Sequence, residues 1–231
     1  MRPAEIKANA REHLLGNYSR IITVQLIFLC LSWSVSMLTG GFYGNGTGMI
    51  ILSCAIITVA DIILQVFNFG LKQSYLKLCC GMPYGPGDLF TGFKDNRVVI
   101  CATLFGTLLS ISNIPFFILS EAFAESNDKK LALLAFAAFA IFNTISYLIM
   151  LPLSQVYYLL MDLPEKSSAD CLKMSAWLMK GRKFRLFRMQ LSFLPLMLLA
   201  VFTLGIGMLW IEPYINASEA SFYLNAAKEK E

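Results

Sequence analysis

Apolar positions along this chain come in long, repeated runs. Residues 21–60 carry no charged side chain, and neither do 98–120, 131–161 and 189–211. The first run is divided by Thr39-Gly40-Gly41-Phe42-Tyr43-Gly44-Asn45-Gly46, which reads as a glycine-rich turn between two apolar arms. About 20 apolar residues cross a bilayer core as a helix. The pattern therefore predicts an all-α, polytopic transmembrane helix bundle. Spans are expected at about 21–39, 49–70, 97–121, 131–161 and 184–204. Pro115 predicts a kink in the third, and the fourth continues past Pro152.

Between the runs the period changes to that of amphipathic helices. Ile6, Ala10 and Leu14 recur among Glu5, Lys7, Arg11 and Glu12, which predicts a helix from Ala4 to Leu15 ended by Gly16-Asn17. Pro164 opens a second such helix over 165–180, closed by Gly181, with Cys171, Met174 and Leu178 set against Lys166, Asp170, Lys173 and Lys180. Both are expected at the cytoplasmic membrane surface. Pro83-Tyr84-Gly85-Pro86-Gly87 breaks the chain, and Asp88 is placed to cap a short helix, Leu89–Phe93. Three times an amphipathic segment ends at glycine, meets a basic or aromatic cluster and enters a span, at residues 15–20, 91–97 and 180–185. This is either a weak internal repeat or the common need of any helix reaching a membrane for a cap and a basic anchor.

The C-terminal third supports two readings. Met189 to Ile211 suffices for one crossing that leaves the tail outside. Alternatively, the chain turns at Thr203-Leu204-Gly205-Ile206-Gly207 and returns as a sixth, short or re-entrant segment at about 206–224. That arm would carry Glu212, Asn216 and Glu219, which are costly in lipid and need shielding.

Composition agrees with a single membrane domain over 1–231: 57% of residues are apolar, and 15% are charged against roughly 25% in soluble domains. The placement of charge adds orientation. Fifteen of the 19 Lys and Arg fall in 1–20, 70–97 and 162–188, whereas residues 40–48 have none. Basic loops stay cytoplasmic, so the N-terminus and these three segments are expected inside. A cleaved leader is not expected, because the first apolar run is long and acids flank it. The six cysteines fall in spans or on the reducing side and form no disulfide framework. Cys79-Cys80 reads either as small residues filling a helix or as an acylation site.

Two features carry candidate function. On the second span Thr58, Asp61, Gln65, Asn68 and Lys72 share one helix face. A carboxylate about 18 Å along that helix lies inside a core of about 30 Å, at a cost of about 2.5–3.5 kcal/mol. The stripe is either a proton, cation or solute path, or a hydrogen-bonded seam with Asn113, Asn143 or Ser146. The second feature is Lys180, Arg182, Lys183, Arg185 and Arg188, interleaved with aromatics at a span mouth. It reads as an anchor to anionic lipid headgroups. Enzymatic chemistry finds little footing: His13 is the one histidine, which excludes a multi-His metal site or a His-based triad within one chain. No Walker or dinucleotide fingerprint is present. Cofactor, metal and nucleic acid are not expected.

The chain resembles the bacterial multi-pass membrane proteins catalogued as domain of unknown function 975. The resemblance rests on Asp162-Leu163-Pro164, Ser175 through Phe187, Leu191-Ser192-Phe193, Thr203 through Gly207, Leu209-Trp210, Pro213-Tyr214 and Phe222-Tyr223. Ile6-Lys7, Ala10-Arg11, Gly16-Asn17-Tyr18 and Asp88 through Phe93 fit as well, and Leu194-Pro195-Leu196 departs from the family's usual step. The resemblance implies a multi-pass protein of the bacterial cell (inner) membrane and no catalytic residues. The leading functional expectation is a non-catalytic, membrane-embedded interaction or accessory component. A small-solute or ion transporter using the Asp61 stripe is the alternative, and a lipid-modifying membrane enzyme is third. Expected partners are the bilayer with its anionic headgroups, and a membrane protein or a second copy.

Overall fold

The computed structural model describes residues 3–40, 47–126 and 129–229. The glycine-rich turn at 41–46 lies outside them. The helices are α1 Pro3–Leu14, α2 Tyr18–Gly40, α3 Thr47–Cys79, α4 Asn96–Ser126, α5 Lys129–Met150, α6 Val156–Asp162, α7 Ser168–Leu178, α8 Lys183–Leu191, α9 Leu194–Phe202 and α10 Met208–Lys228. Short 3-10 turns cover Pro86–Lys94 and Leu151–Leu153. Among the described residues five helical stretches are long and apolar enough to cross a membrane: Tyr18–Thr39, Ile51–Cys79, Asn96–Pro115, Lys129–Asp162 and Lys183–Phe202. Helix is the expected answer to such sequence, since in lipid each segment must satisfy its own backbone polar groups. The chain is thus an all-α bundle with the composition of a multi-pass membrane protein.

α3 is the hub and packs against α2, α4, α6 and α10. It spans 33 residues, or ~50 Å at 1.5 Å per residue, well over a bilayer core. Its two halves differ. From Val66 to Cys79 it is mostly buried, with Tyr75 and Ser74 fully so. Toward its start Ile51, Leu52, Val59 and Ile63 are exposed. The same division holds for α2, where Ile21, Val24 and Gln25 are buried and Trp33, Met37 and Leu38 are not. The core therefore gathers at one end of the bundle, and the other end presents apolar side chains suited to lipid.

Glycines allow close approaches to α3 at several points, two of which place the neighbouring elements. A Cβ at Gly70 would collide with the Asp88 carbonyl and the Leu89 backbone, so a glycine there lets the Pro86–Lys94 turn lie on α3. At Gly106 a Cβ would stand 2.8 Å from the Ile62 nitrogen, so α4 crosses α3 backbone to backbone. Asp88 is not the helix cap that the sequence suggests. Its carboxylate accepts from the Gly85 N–H at 3.0 Å and pairs with Lys77 at 2.6 Å, pinning the turn to α3. α7 starts at Ser168, later than Pro164 suggests, because the Ser167 hydroxyl caps it by accepting from the Asp170 N–H.

The apolar face of α1 is as the periodicity predicts: Ile6, Ala10 and Leu14 are buried. They are covered by protein, since α1 lies along α10. Pro152 ends α5, and Ser175 bridges the break by donating to the Pro152 carbonyl at 2.9 Å and accepting from the Gln155 N–H. α9 stops at a turn in which Leu204 and Gly205 take positive φ. α10 then returns, and Glu229 beyond it meets Arg182 and Arg185 at the start of α8. Of the two readings of the C-terminal third, the returning arm is the one observed. It is shielded: Pro213, Ala217, Ser218, Ala220, Ser221, Phe222, Tyr223 and Ala226 are all buried.

Candidate functional site

The polar stripe of α3 meets a different neighbour at each step. Thr58 donates to the Cys54 carbonyl of its own helix. Asp61 accepts from the Ser110 hydroxyl of α4 at 2.8 Å. Gln65 accepts from Tyr157 of α6 at 3.2 Å and from Asn68 at 3.4 Å. Tyr157 is held there by edge-on contacts with Phe69 and Phe105, whose ring centres lie 5.8 and 5.5 Å away. One turn beyond Asn68, Lys72 pairs with Glu219 of α10 at 3.4 Å. Asp61 and Gln65 bond to neighbouring helices through Ser110 and Tyr157, not through the expected Asn113, Asn143 or Ser146. Asn143 donates to Asn113 at 3.3 Å instead of meeting Asp61.

Below the Asp61–Ser110 bond the stripe lines a cavity of about 160 Å³, bounded by Gln65, Asn68, Lys72, Tyr147, Gln190 and Glu219 and floored by apolar side chains. Gln190 donates to Glu219 at 2.9 Å, and the Tyr147 hydroxyl donates to Gln190. The Lys72 and Glu219 side chains are 14% and 16% exposed. At that burial an ion pair needs its extra hydrogen bonds, because desolvation offsets much of the Coulomb attraction. Gln190 supplies one, and the Tyr158 ring lies 5.5 Å from the Lys72 ammonium.

A second polar lock joins the return arm to α2 and α3. Gln25 is 1% exposed. Its amide N–H donates to Glu212 at 2.5 Å, and its carbonyl accepts from Tyr75 at 2.8 Å and from Asn216 at 3.5 Å. The costly residues of the return arm are thereby all engaged: Glu212 and Asn216 here, Glu219 at the cavity. Cys79 also packs on this arm, with its Sγ 3.7 Å from the Ala217 carbonyl, which fits a filling role.

The basic cluster divides. Arg182 and Arg185 hold Glu229 at 3.0 and 2.9 Å, closing the α8–α10 hairpin. Hydrogen bonding from Arg185 holds the Glu229 carboxyl down to about 2. Lys180 and Lys183 are exposed. Arg188 stacks over Phe184 at 5.0 Å and faces a groove beside α1. Among the described residues no three His, Cys, Asp or Glu side chains gather in a way that would hold a metal ion.

Sequence reasoning found the α3 stripe and the costly acids of α10, but missed Gln25, Tyr75, Ser110, Tyr157 and Gln190. Gln25 had a usable signal, being the one amide between residues 21 and 39 of a charge-free run. Ser110 had none, since a span serine can bond its own helix, as Thr103 and Thr107 do. Neither a curated protein nor a solved structure matches this chain. A family model does, over residues 1–230, and its description is protein of unknown function (DUF975). The chain belongs to that family.

Proposed function

We propose that this member of a family without an assigned activity is a non-catalytic, membrane-embedded interaction or accessory component. Its N-terminus faces the cytoplasm of a bacterial inner membrane. The observation that supports this reading is that three carboxylates on apolar helices are each committed to a neighbouring helix: Asp61 to Ser110, Glu212 to Gln25, Glu219 to Lys72 and Gln190. Such bonds lock helices together. A transport path needs a polar route past Asp61; the cavity lining ends at Gln65, and the second cavity of about 130 Å³ beside Ser110 is walled by Ile57, Ile111 and Ile114 as well as Thr58 and Thr107.

The transporter reading keeps one observation in its favour, the Lys72–Glu219 pair on the wall of that cavity. Flux measurements on the purified chain in vesicles separate the two. The accessory reading expects proton and monovalent-cation leak equal to that of protein-free vesicles. A flux that Asp61→Asn abolishes, while the protein keeps its helical signal, would overturn it.

A further inference from the structure

Outside the α3 stripe, the groove beside α1 is the feature with no role yet. It is open, about 720 Å³, and lies between α1 and the α8–α10 hairpin. Three cations converge on it from elements far apart in sequence: Lys7 and Arg11 of α1, and Arg188 of α8. Ser192 and the Tyr214 ring complete the polar wall, and Leu196 continues it one turn deeper along α9 as an apolar wall. Among the described residues no carboxylate forms an ion pair with any of the three cations. The acids of α1 lie elsewhere: at 100° per residue Glu5 and Glu12 fall on the side opposite Lys7 and Arg11.

The groove is also built. Lys7 donates to the Ser192 hydroxyl at 3.1 Å and lies 4.2 Å from the centre of the Phe193 ring, so its ammonium is fixed at the groove wall. Phe193 is itself held edge-on by Tyr214 at 5.0 Å and is fully buried. Partial burial and the neighbouring Arg11 both push the Lys7 ammonium down from its ordinary value. A site that crowds cations without an acid is relieved by an incoming anion.

We propose that this groove binds the phosphate group of an anionic lipid headgroup. Lys7, Arg11 and Arg188 take the phosphate oxygens, Ser192, whose hydroxyl donates to the Met189 carbonyl at 2.6 Å, holds the Lys7 ammonium in place, and the acyl chain follows Leu196 along α9. The lipid is favoured over free phosphate because the wall turns from cationic to apolar in the direction in which α9 enters the apolar part of the bundle, which is the polarity of an amphiphile standing in a leaflet. Basic pockets between helices at the cytoplasmic face recognise headgroups in this way. The site is distinct from the Arg182–Arg185 cluster, whose two guanidiniums hold Glu229. It goes beyond the accessory role proposed above and stands whether or not that role does.

The test uses the full chain in detergent, with lipid retention read by native mass spectrometry. Phosphatidylglycerol, phosphatidylcholine and inorganic phosphate are the three probes. Wild type is expected to retain phosphatidylglycerol over phosphatidylcholine, with millimolar phosphate failing to displace it. A Lys7→Gln, Arg11→Gln, Arg188→Gln triple variant should lose that preference by about tenfold or more. Lys94→Gln with Lys173→Gln, two exposed cations outside the groove, should change it by less than about twofold. Arg188→Gln alone, at an exposed position, serves if the triple variant does not fold, and should itself weaken retention. Equal retention of both lipids, loss in the Lys94 and Lys173 variant as large as in the triple, or phosphate competing as well as the lipid would each overturn the assignment.

Discussion

The Ser110 hydroxyl donates to the Asp61 carboxylate at 2.8 Å, from α4 to α3. Four residues earlier on α4, Gly106 sits against Ile62, so the bond and the closest helix crossing are one structural unit. Asp61→Asn keeps an acceptor of similar shape and should leave thermal stability in detergent nearly unchanged. Asp61→Leu removes the acceptor and leaves Ser110 to its own helix, at a cost of about 0.6–2 kcal/mol. A Leu variant more stable than wild type would show that the bond does not hold the two helices.

Gly106→Ala tests the same crossing from its other side. The added methyl would stand 2.8 Å from the Ile62 nitrogen, a backbone atom that yields only if α4 moves. Overpacking of this kind costs about 1–3 kcal/mol. Because moving α4 also stretches the Ser110–Asp61 bond, Gly106→Ala and Asp61→Leu together should cost less than the sum of the two. Additive losses, measured as thermal midpoints, would mean that the bond and the crossing act separately.

The Lys72–Glu219 pair should behave as a partly buried ion pair. Glu219→Gln leaves a largely buried ammonium without its charge partner and should cost about 1–3 kcal/mol. Lys72→Met with Glu219→Met removes both charges and should recover most of that loss, because much of a buried pair's apparent worth is the penalty of breaking it. A double variant as unstable as the worse single would show that the cavity needs the charges for reasons other than their pairing.

The long apolar helices were legible because a charge-free run of sufficient length has few solutions in lipid: it must be helical and must be covered. The periodicity of α1 likewise gave its buried face, Ile6, Ala10 and Leu14. It could not say that α10, two hundred residues later, covers that face, because an apolar stripe is equally consistent with lipid and with protein. Asp61 announced itself by its cost, and its partner did not, since a serine on a helix carries no such cost. The convergence of Lys7 with Arg188 was invisible for a further reason. It depends on the α9–α10 turn at Leu204 and Gly205, and the sequence left that turn open between two topologies.

Acid should open the hairpin through Glu229. Hydrogen bonding from Arg185 lowers its carboxyl to about 2, against an ordinary 4.5. A depressed carboxylate contributes stability that is complete above the ordinary value and is lost as pH falls toward the folded one. The gap in thermal midpoint between wild type and Glu229→Gln should therefore be constant above pH ~5 and close between about 4.5 and 2. A gap that persists to the acid end would place the effect elsewhere than in the carboxylate charge.

The tail should share a side with the basic segments. Glu229 can meet Arg182 and Arg185 only if α10 returns to the end from which α8 departs. The positive-inside rule expects Lys180 through Arg188 to keep that end inside. Reporter fusions after Gly85, after Ser168 and after Lys228 should all read cytoplasmic, and fusions after Gly44 and after Ser126 should read outside. The Lys228 fusion carries the most weight, because a single crossing by Met189 to Ile211 would reverse it alone. An outside reading at Lys228, with the other four as expected, would require that the Glu229 contacts do not form in the membrane. Replacing Glu229 with lysine should weaken the inside reading at Lys228 without disturbing Ser168, since like charges would then face each other across the hairpin mouth. If that variant leaves the tail where it was, the buried face of α10 alone holds the return arm.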